Sequence, residues 1–172
     1  MGARARRQRD AEFTAFVEQA SPELLRIGWF MTGDAHRAQD LVQEALFRAY
    51  RAWHRVDPPS AVAYTRKVML NLARREWRRE GAGRVQLSPE AGELLHPAQD
   101  NAIAAGEHDR LVRGLRTLPE RQRSVVVLRY YCDLSEQQCA EELGISTGTV
   151  KSAASRGLAR LRDHFAMQEV QP

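Results

Sequence analysis

Cysteine is nearly missing from this 172-residue chain: Cys132 and Cys139 are the two thiols, with no further metal ligands clustered beside them. That excludes a disulfide framework and a cysteine-based metal centre, and it fits a reduced, cytoplasmic protein. No uninterrupted apolar run approaches the ~20 residues needed to span a bilayer, so direct membrane insertion is not expected. The first ten residues carry Arg4, Arg6, Arg7 and Arg9, but no apolar block follows, as a secretory leader would require. Arginine content alone also fits a mitochondrial-type presequence; a frayed basic arm able to touch phosphate is the simpler reading. The five histidines, His36, His54, His96, His108 and His164, are scattered with no spacing such as His-x-x-x-His. Neither a serine-nucleophile motif nor a phosphate-cradling glycine loop occurs. The sequence therefore points away from catalysis and calls for no metal or cofactor.

What the chain does have is helical periodicity and arginine. It is 43% hydrophobic and 28% charged with a formal net charge of +4, enough apolar material for a core in each half. Arginine dominates the bases, and its planar fork suits phosphate and guanine better than lysine does. The most informative stretch is Leu134 to Leu161. Ser135 followed by Gln138 forms a capping box, Cys139, Ala140 and Leu143 supply an apolar face, and Gly144 offers the left-handed residue that ends a helix. Ile145 is an apolar turn residue, and Ser146 or Thr147 can cap a second helix with an inner face of Val150, Ala154, Leu158 and Leu161. This is the pattern of a helix-turn-helix. Thr147, Thr149, Lys151, Ser152, Ser155 and Arg156 are left facing outward, hydroxyls and bases of the kind that contact a major groove. The plainer reading, a helical hairpin with a polar outer side, leaves the basic face without a purpose.

Upstream, Phe13, Phe16 and Val17 mark a helix over 11–20, and Ser21-Pro22-Glu23 reads as a restart, with a cap, a first-turn proline and an acid. The apolar segment Leu24, Leu25, Ile27, Trp29, Phe30 and Met31 belongs in a core; Gly33 closes it and Asp34 caps the next helix, expected over 35–54. That helix buries Ala38, Leu41, Val42, Ala45, Leu46, Ala49 and Trp53. Its other side carries Asp40, Gln43, Glu44, Phe47, Arg48 and Arg51. A phenylalanine in a charged stripe fits either a docking anchor with a polar rim or a ring folded back onto the first helix. After the loop His54 to Ser60, a third helix runs from Ala61 to about Glu80, with Tyr64, Thr65, Val68 and Leu72 inward. Arg66, Lys67, Asn71, Arg74, Arg75, Trp77, Arg78 and Arg79 are expected outward, a basic and aromatic face suited to unpaired nucleotides, although a solvated basic face is the plain alternative.

Residues 81–106 change character, with glycine, proline, alanine and the acids Glu90, Glu93 and Asp100. This reads as a linker whose ends lie roughly 25–30 Å apart as a coil and roughly 80–90 Å apart when extended. The extended length exceeds two turns of duplex, roughly 68 Å. From Glu107, Leu111, Val112, Leu115 and Leu118 form one stripe; after Pro119, Val125, Val126, Leu128 and Tyr131 form another. Both must pack on the helix-turn-helix. The expected organisation is all-α: a basic arm (1–10), a helical domain (11–80), the linker (81–106), a four-helix domain (107–166) and a tail (167–172). No long extension follows Phe165, so control by an appended domain is not expected.

Taken together, these segments resemble the sigma-70 family of transcription initiation factors. The first half is similar to region 2 and the second to region 4, and the absence of region 3 matches the extracytoplasmic-function group. Asp40-Leu41-Val42-Gln43-Glu44-Ala45 looks like the segment that docks on core RNA polymerase. Tyr64 through Arg79, with Asn71-Leu72-Ala73, looks like the helix that melts and reads the −10 element. Leu118-Pro119-Glu120-Arg121-Gln122-Arg123 looks like the opening of region 4, and Asp133-Leu134-Ser135 through Arg162 resembles the −35 reader. The resemblance implies a polymerase face of Asp40, Leu41, Gln43, Glu44, Phe47, Arg48 and Arg51. It implies −10 contacts from Tyr64, Lys67, Asn71, Arg74, Arg75, Trp77, Arg78 and Arg79, helped by the His54–Ser60 loop, and −35 contacts from the six outward residues of the second hairpin helix. It also implies core polymerase and promoter DNA as partners, an anti-sigma factor as a further one, and an acidic linker that threads towards the RNA path. Two positions depart from the family pattern: Ala153, where an Arg is common, and Arg75, where an Asp is common. The rival reading is a stand-alone helix-turn-helix regulator, which would need neither the Asp40–Arg51 face nor the arginine-rich third helix.

Overall fold

The computed structural model describes residues 3–80 and 102–169. Its helices are α1 (Ala3–Thr32), α2 (Ala35–Ala52), α3 (Ala61–Glu80), α4 (Ala102–Arg116), α5 (Glu120–Val126), α6 (Glu136–Leu143) and α7 (Thr147–Glu169). Short 3-10 turns over Trp53–Arg55 and Pro58–Ser60 join α2 to α3, and a π-turn, Val127–Tyr131, extends α5. Glu90, Glu93 and Asp100, and most of the expected linker, lie outside the described residues.

The restart expected at Ser21-Pro22 does not occur, because α1 runs straight through Pro22. Phe13, Phe16, Ala20, Leu24, Ile27 and Met31 recur at steps of three and four across the proline, and a break would rotate half of that stripe off α2. Leu24 and Ile27 are fully buried, and Ser21 Oγ donates to Val17 O at 2.6 Å. Burial of this stripe offsets the roughly 3 kcal/mol that an interior proline costs. Nor is the start a frayed arm throughout. The helix begins at Ala3, the Arg9 guanidinium lies 5.1 Å from the Tyr50 ring centre, and Tyr50 donates to Asp10 at 2.7 Å. Phe13 and Phe16 both pack against Trp53, at centroid distances of 5.0 Å.

Gly33, at φ 72°, ends α1, and Asp34 caps α2 by accepting from the Arg37 amide. α2 buries Ala35, Ala38, Leu41, Val42, Ala45 and Ala49 against α1 and α3. On α3 the fully inward positions are Ala61, Thr65, Arg66, Met69, Leu70 and Ala73; Val68 and Leu72 are half-buried, and Tyr64 is exposed. In the second half α4 starts at Ala102, five residues ahead of the expected Glu107, because Ala102 to Ala105 contains good helix formers. α5, α6 and α4 gather around α7.

The helix-turn-helix has the anticipated local chemistry. Ser135 accepts from the Gln138 amide while Gln138 Oε1 accepts from the Ser135 amide. Gly144 adopts φ 64°, and the Ile145 amide reaches back to Ala140 O at 3.1 Å, the Schellman bond. Val150 is fully buried, and Ala154 and Leu161 are buried with it. Replacing Ser135 with Ala removes one half of the box and should lower stability by about 1 kcal/mol, read as a fall in denaturation midpoint at unchanged m-value.

The two helical bodies are not held apart. Buried residues form one contiguous cluster running from Trp29, Phe30 and Met31 to Leu118, Val127 and Leu128. Phe30 meets the edge of Tyr131 at 4.8 Å, and a Cβ on Gly33 would come within 2.4 Å of Arg116 Cδ.

Candidate nucleic-acid and docking interfaces

Three faces carry the residues singled out in the sequence. The first is the outer side of α2. Asp40, Gln43, Glu44 and Arg51 are exposed and Arg48 is half-buried, paired with Glu44 at 2.6 Å. Phe47 is 56% exposed, so it does not fold back onto α1; the Arg51 guanidinium lies 5.9 Å from its ring centre. An exposed aromatic ring ringed by polar side chains is an anchor without a pocket. Leu41 does not share this face: at 3% exposure it belongs to the core, as its helical spacing with Ala38 and Ala45 requires. Beside the face, Arg37, Asp40, Glu76 and Arg79 line an open cleft between α2 and α3, with Arg37 and Glu76 3.7 Å apart.

The second face is α3. Tyr64, Lys67, Asn71, Arg75, Arg78 and Arg79 are exposed, whereas Arg74 and Trp77 are half-buried. Arg66, expected outside, is 6% exposed. Its fork grips Glu142 of α6, with Nη2 to Oε1 at 2.6 Å and Nε to Oε2 at 3.0 Å, and Glu23 lies 3.8 Å away. Burial pulls the Arg66 guanidinium down, but the Glu142 hydrogen bond and charge outweigh it, and the net shift is upward. Helical spacing carried this signal, since Arg66 stands three, four and seven residues before the buried Met69, Leu70 and Ala73. What spacing could not supply was the carboxylate partner on α6.

Arg123 is the other residue that the sequence reading passed over. Its guanidinium is buried, donates to Met31 O at 2.7 Å and to Arg116 O and Leu118 O, and sits 4.4 Å from the centre of the Trp77 ring. No carboxylate pairs with it directly, and Nε finds no acceptor. Burial first, then the nearby Arg116 charge, lowers its pKa to about 10, with Glu120 opposing. A drop of that size disfavours the cation by on the order of 3 kcal/mol. Because the folded value lies below the unfolded one, that cost is present at all pH values below about 10 and is relieved above it.

The third face is the start of α7. Thr147, Lys151, Ser152, Ser155 and Arg156 are exposed and Thr149 is half-buried. Ser146 caps the helix through the Thr149 amide at 3.2 Å. Arg156 folds onto Ser152, and Lys151 stands 3.5 Å from Glu136, contacts that solvent screens and DNA can replace. Ala153 is only 2% exposed, one turn before Gly157, where an added Cβ would meet Val126 Cγ2 at 2.8 Å. The departure at position 153 is therefore buried and leaves the outward face of α7 untouched. Arg75, the other departure, is exposed.

A helix-turn-helix whose second helix starts uncovered, together with a body that carries a basic helix and an exposed Phe47, is the layout of a two-domain DNA-binding protein. The comparisons agree. Residues 16–83 match the family described as Sigma-70 region 2, and residues 108–161 match Sigma-70, region 4. The RNA polymerase sigma-E factor of Streptomyces coelicolor is 38% identical over 160 residues, covering 92% of this chain and 89% of that protein. The ECF RNA polymerase sigma factor SigE of Mycolicibacterium smegmatis is 31% identical over 155 residues, 87% of this chain and 60% of that protein. Among solved structures, the sigma factor RpoE of Bartonella quintana in complex with the anti-sigma factor NepR aligns with TM-score 0.66 at 22% identity, covering 93% of this chain and 98% of that one. CnrH in complex with the cytosolic domain of CnrY aligns with TM-score 0.64 at 22% identity, over 93% and 89%. The chain belongs to the extracytoplasmic-function group of the sigma-70 family. As a sigma factor it binds core RNA polymerase and directs it to promoters. Among the described residues no helix is long and apolar enough to cross a membrane.

Proposed function

We propose a division of this activity among the three faces. Phe47, with Asp40, Gln43, Glu44, Arg48 and Arg51, docks on core polymerase. The outer side of α3, with Tyr64, Lys67, Asn71, Arg75, Arg78 and Arg79 exposed and Arg74 and Trp77 half-buried, holds the unpaired non-template strand at the −10 element. Thr147, Thr149, Lys151, Ser152, Ser155 and Arg156 read duplex DNA at −35. The observation that carries this reading is the conjunction of an exposed Phe47 among polar side chains on α2 with an uncovered, hydroxyl- and base-bearing start of α7. A lone operator-binding regulator has use for the second feature only.

The chain carries out no bond chemistry in this scheme; polymerase does, in the cytoplasm. Extruding a base costs a few kcal/mol, so a face that holds extruded bases supplies both strand opening and selectivity. Because the solved neighbours are held by anti-sigma factors, an anti-sigma factor is an expected partner here too. Run-off transcription with core polymerase over genomic fragments tests the assignment. Defined start sites should appear only when both proteins are present, and Lys151→Ala with Arg156→Ala should abolish preference for the upstream element while leaving polymerase binding intact. Unchanged preference would remove α7 from the −35 role.

A further inference from the structure

Outside the three faces, one end of the first body concentrates positive charge that none of them uses. α1 runs on past its contacts with α2, and Arg4, Ala5, Arg6, Arg7 and Gln8 are all exposed. Arg51 near the end of α2 and Arg55 in the turn that follows are exposed at the same end. Side-chain contacts hold these elements together. Tyr50 donates to Asp10 at 2.7 Å and accepts from Arg9 at 3.3 Å, and the Phe13 ring centre lies 5.0 Å from those of Tyr50 and Trp53. The exposed acids here are Glu12, bonded to Gln8 at 2.9 Å, and Asp57, too few to offset the arginines. The first turn of α1 holds no acid. Arginines there oppose the helix dipole and repel one another. Among the described residues no carboxylate pairs with Arg4, Arg6 or Arg7. Anchorage at Tyr50 keeps this start helical, and an anion would relieve both penalties.

We propose that this end of the first body, Arg4, Arg6 and Arg7 with Arg51 and Arg55, is a fourth DNA contact, which grips the phosphate backbone of the duplex bordering the unpaired segment. Position and chemistry both favour paired DNA. Arg55 belongs to the His54–Ser60 loop that adjoins α3, so the patch continues the strand-binding side of the body. Residues 3–8 contain no aromatic ring on which an unpaired base could stack. At about 100° per residue, Arg4, Arg6 and Arg7 point around the helix rather than along one side, which suits phosphates and reads no base edge. A duplex also offers about twice the charge per unit length of a single strand. Because the end is already helical, little ordering entropy is lost when it binds.

The inference takes its place along the promoter from the −10 reading of α3, and the test keeps the two apart. The full chain is titrated with a fluorescein-labelled duplex of randomised sequence, followed by anisotropy across a salt series. Arg4→Gln, Arg6→Gln and Arg7→Gln together should weaken binding about tenfold at low salt. They should also make the slope of log K against log salt shallower by about 2.7, the sum of three phosphate contacts. Arg4→Lys, Arg6→Lys and Arg7→Lys together should keep the slope. All three positions are exposed, so the variants should fold, which circular dichroism checks. Arg78→Ala with Arg79→Ala, titrated with a randomised single strand, reads the −10 face by itself. Loss of strand binding there, with an unchanged duplex slope in the Gln variant, overturns the fourth contact and leaves the −10 reading standing. The reverse pattern removes the −10 reading and keeps the duplex contact. A photo-crosslinker on Ala5→Cys then locates the patch in the complex with core polymerase and a randomised duplex whose centre is unpaired. The wild-type chain, treated alike, accounts for Cys132 and Cys139. Crosslinks should fall in paired DNA; crosslinks confined to the unpaired centre, or to a polymerase subunit, overturn the proposal.

Discussion

Replacing Phe47 with Ala should weaken binding to core polymerase by at least about thirtyfold, with little change in the stability of the free protein. The ring is 56% exposed and contributes little to the core, so its removal opens no cavity. At a protein interface a buried aromatic anchor typically accounts for 2 kcal/mol or more, and its polar rim for much less. Glu44→Ala, which breaks an exposed pair with Arg48, should accordingly cost severalfold less. Titration of labelled core enzyme, alongside a thermal melt of each variant, checks both statements. A Phe47→Ala protein that binds as wild type would move the docking surface off α2.

The second large effect is expected at Arg78 and Arg79. Both are exposed near the end of α3, outside the contacts made by the second body. Substituting both with Ala should slow promoter opening and flatten its salt dependence. Each phosphate contact to a single strand contributes about 0.7 to the slope of log K against log salt, so two lost contacts should make it shallower by roughly 1.4. The check is open-complex formation measured across a salt series. Slower opening at an unchanged slope would mean that the arginines act through folding or polymerase contact instead.

The helix-turn-helix was legible because its signals are local. Ser135 with Gln138, Gly144, and the Val150–Leu161 stripe each act over a few residues, and the structure uses every one of them. The outward side of α2 was legible for the same reason, since a 3.6-residue period assigns faces without reference to anything distant. Leu41 shows the limit of carrying a motif over whole: Asp40, Gln43 and Glu44 of the segment face outward, while Leu41, Val42 and Ala45 lie inside. Pro22 misled because a cap followed by proline is a true local signal for a helix start, overruled here by a core stripe that continues through it. Arg66 and Arg123 were missed for a deeper reason. Arginine at a core-facing position is explained only by its partners, and Arg66 finds Glu142 76 residues away. Charge patterning within one helix carries no information about a carboxylate in another body.

The π-turn at Val127–Tyr131 has a consequence for how the second body is aimed. Its wide loop, with the Cys132 amide reaching Val127 O and the Leu134 amide reaching Leu128 O, accommodates one residue more than an α-helix would. Every residue of regular helix advances the screw by about 100°, so excising one here would swing Tyr131 from Phe30 and turn Asp133, already at φ 50°, to a new heading. The surplus residue thus sets the azimuth at which the helix-turn-helix leaves its stem, and this stem, with Val127 and Leu128 buried, has little room for a change of length.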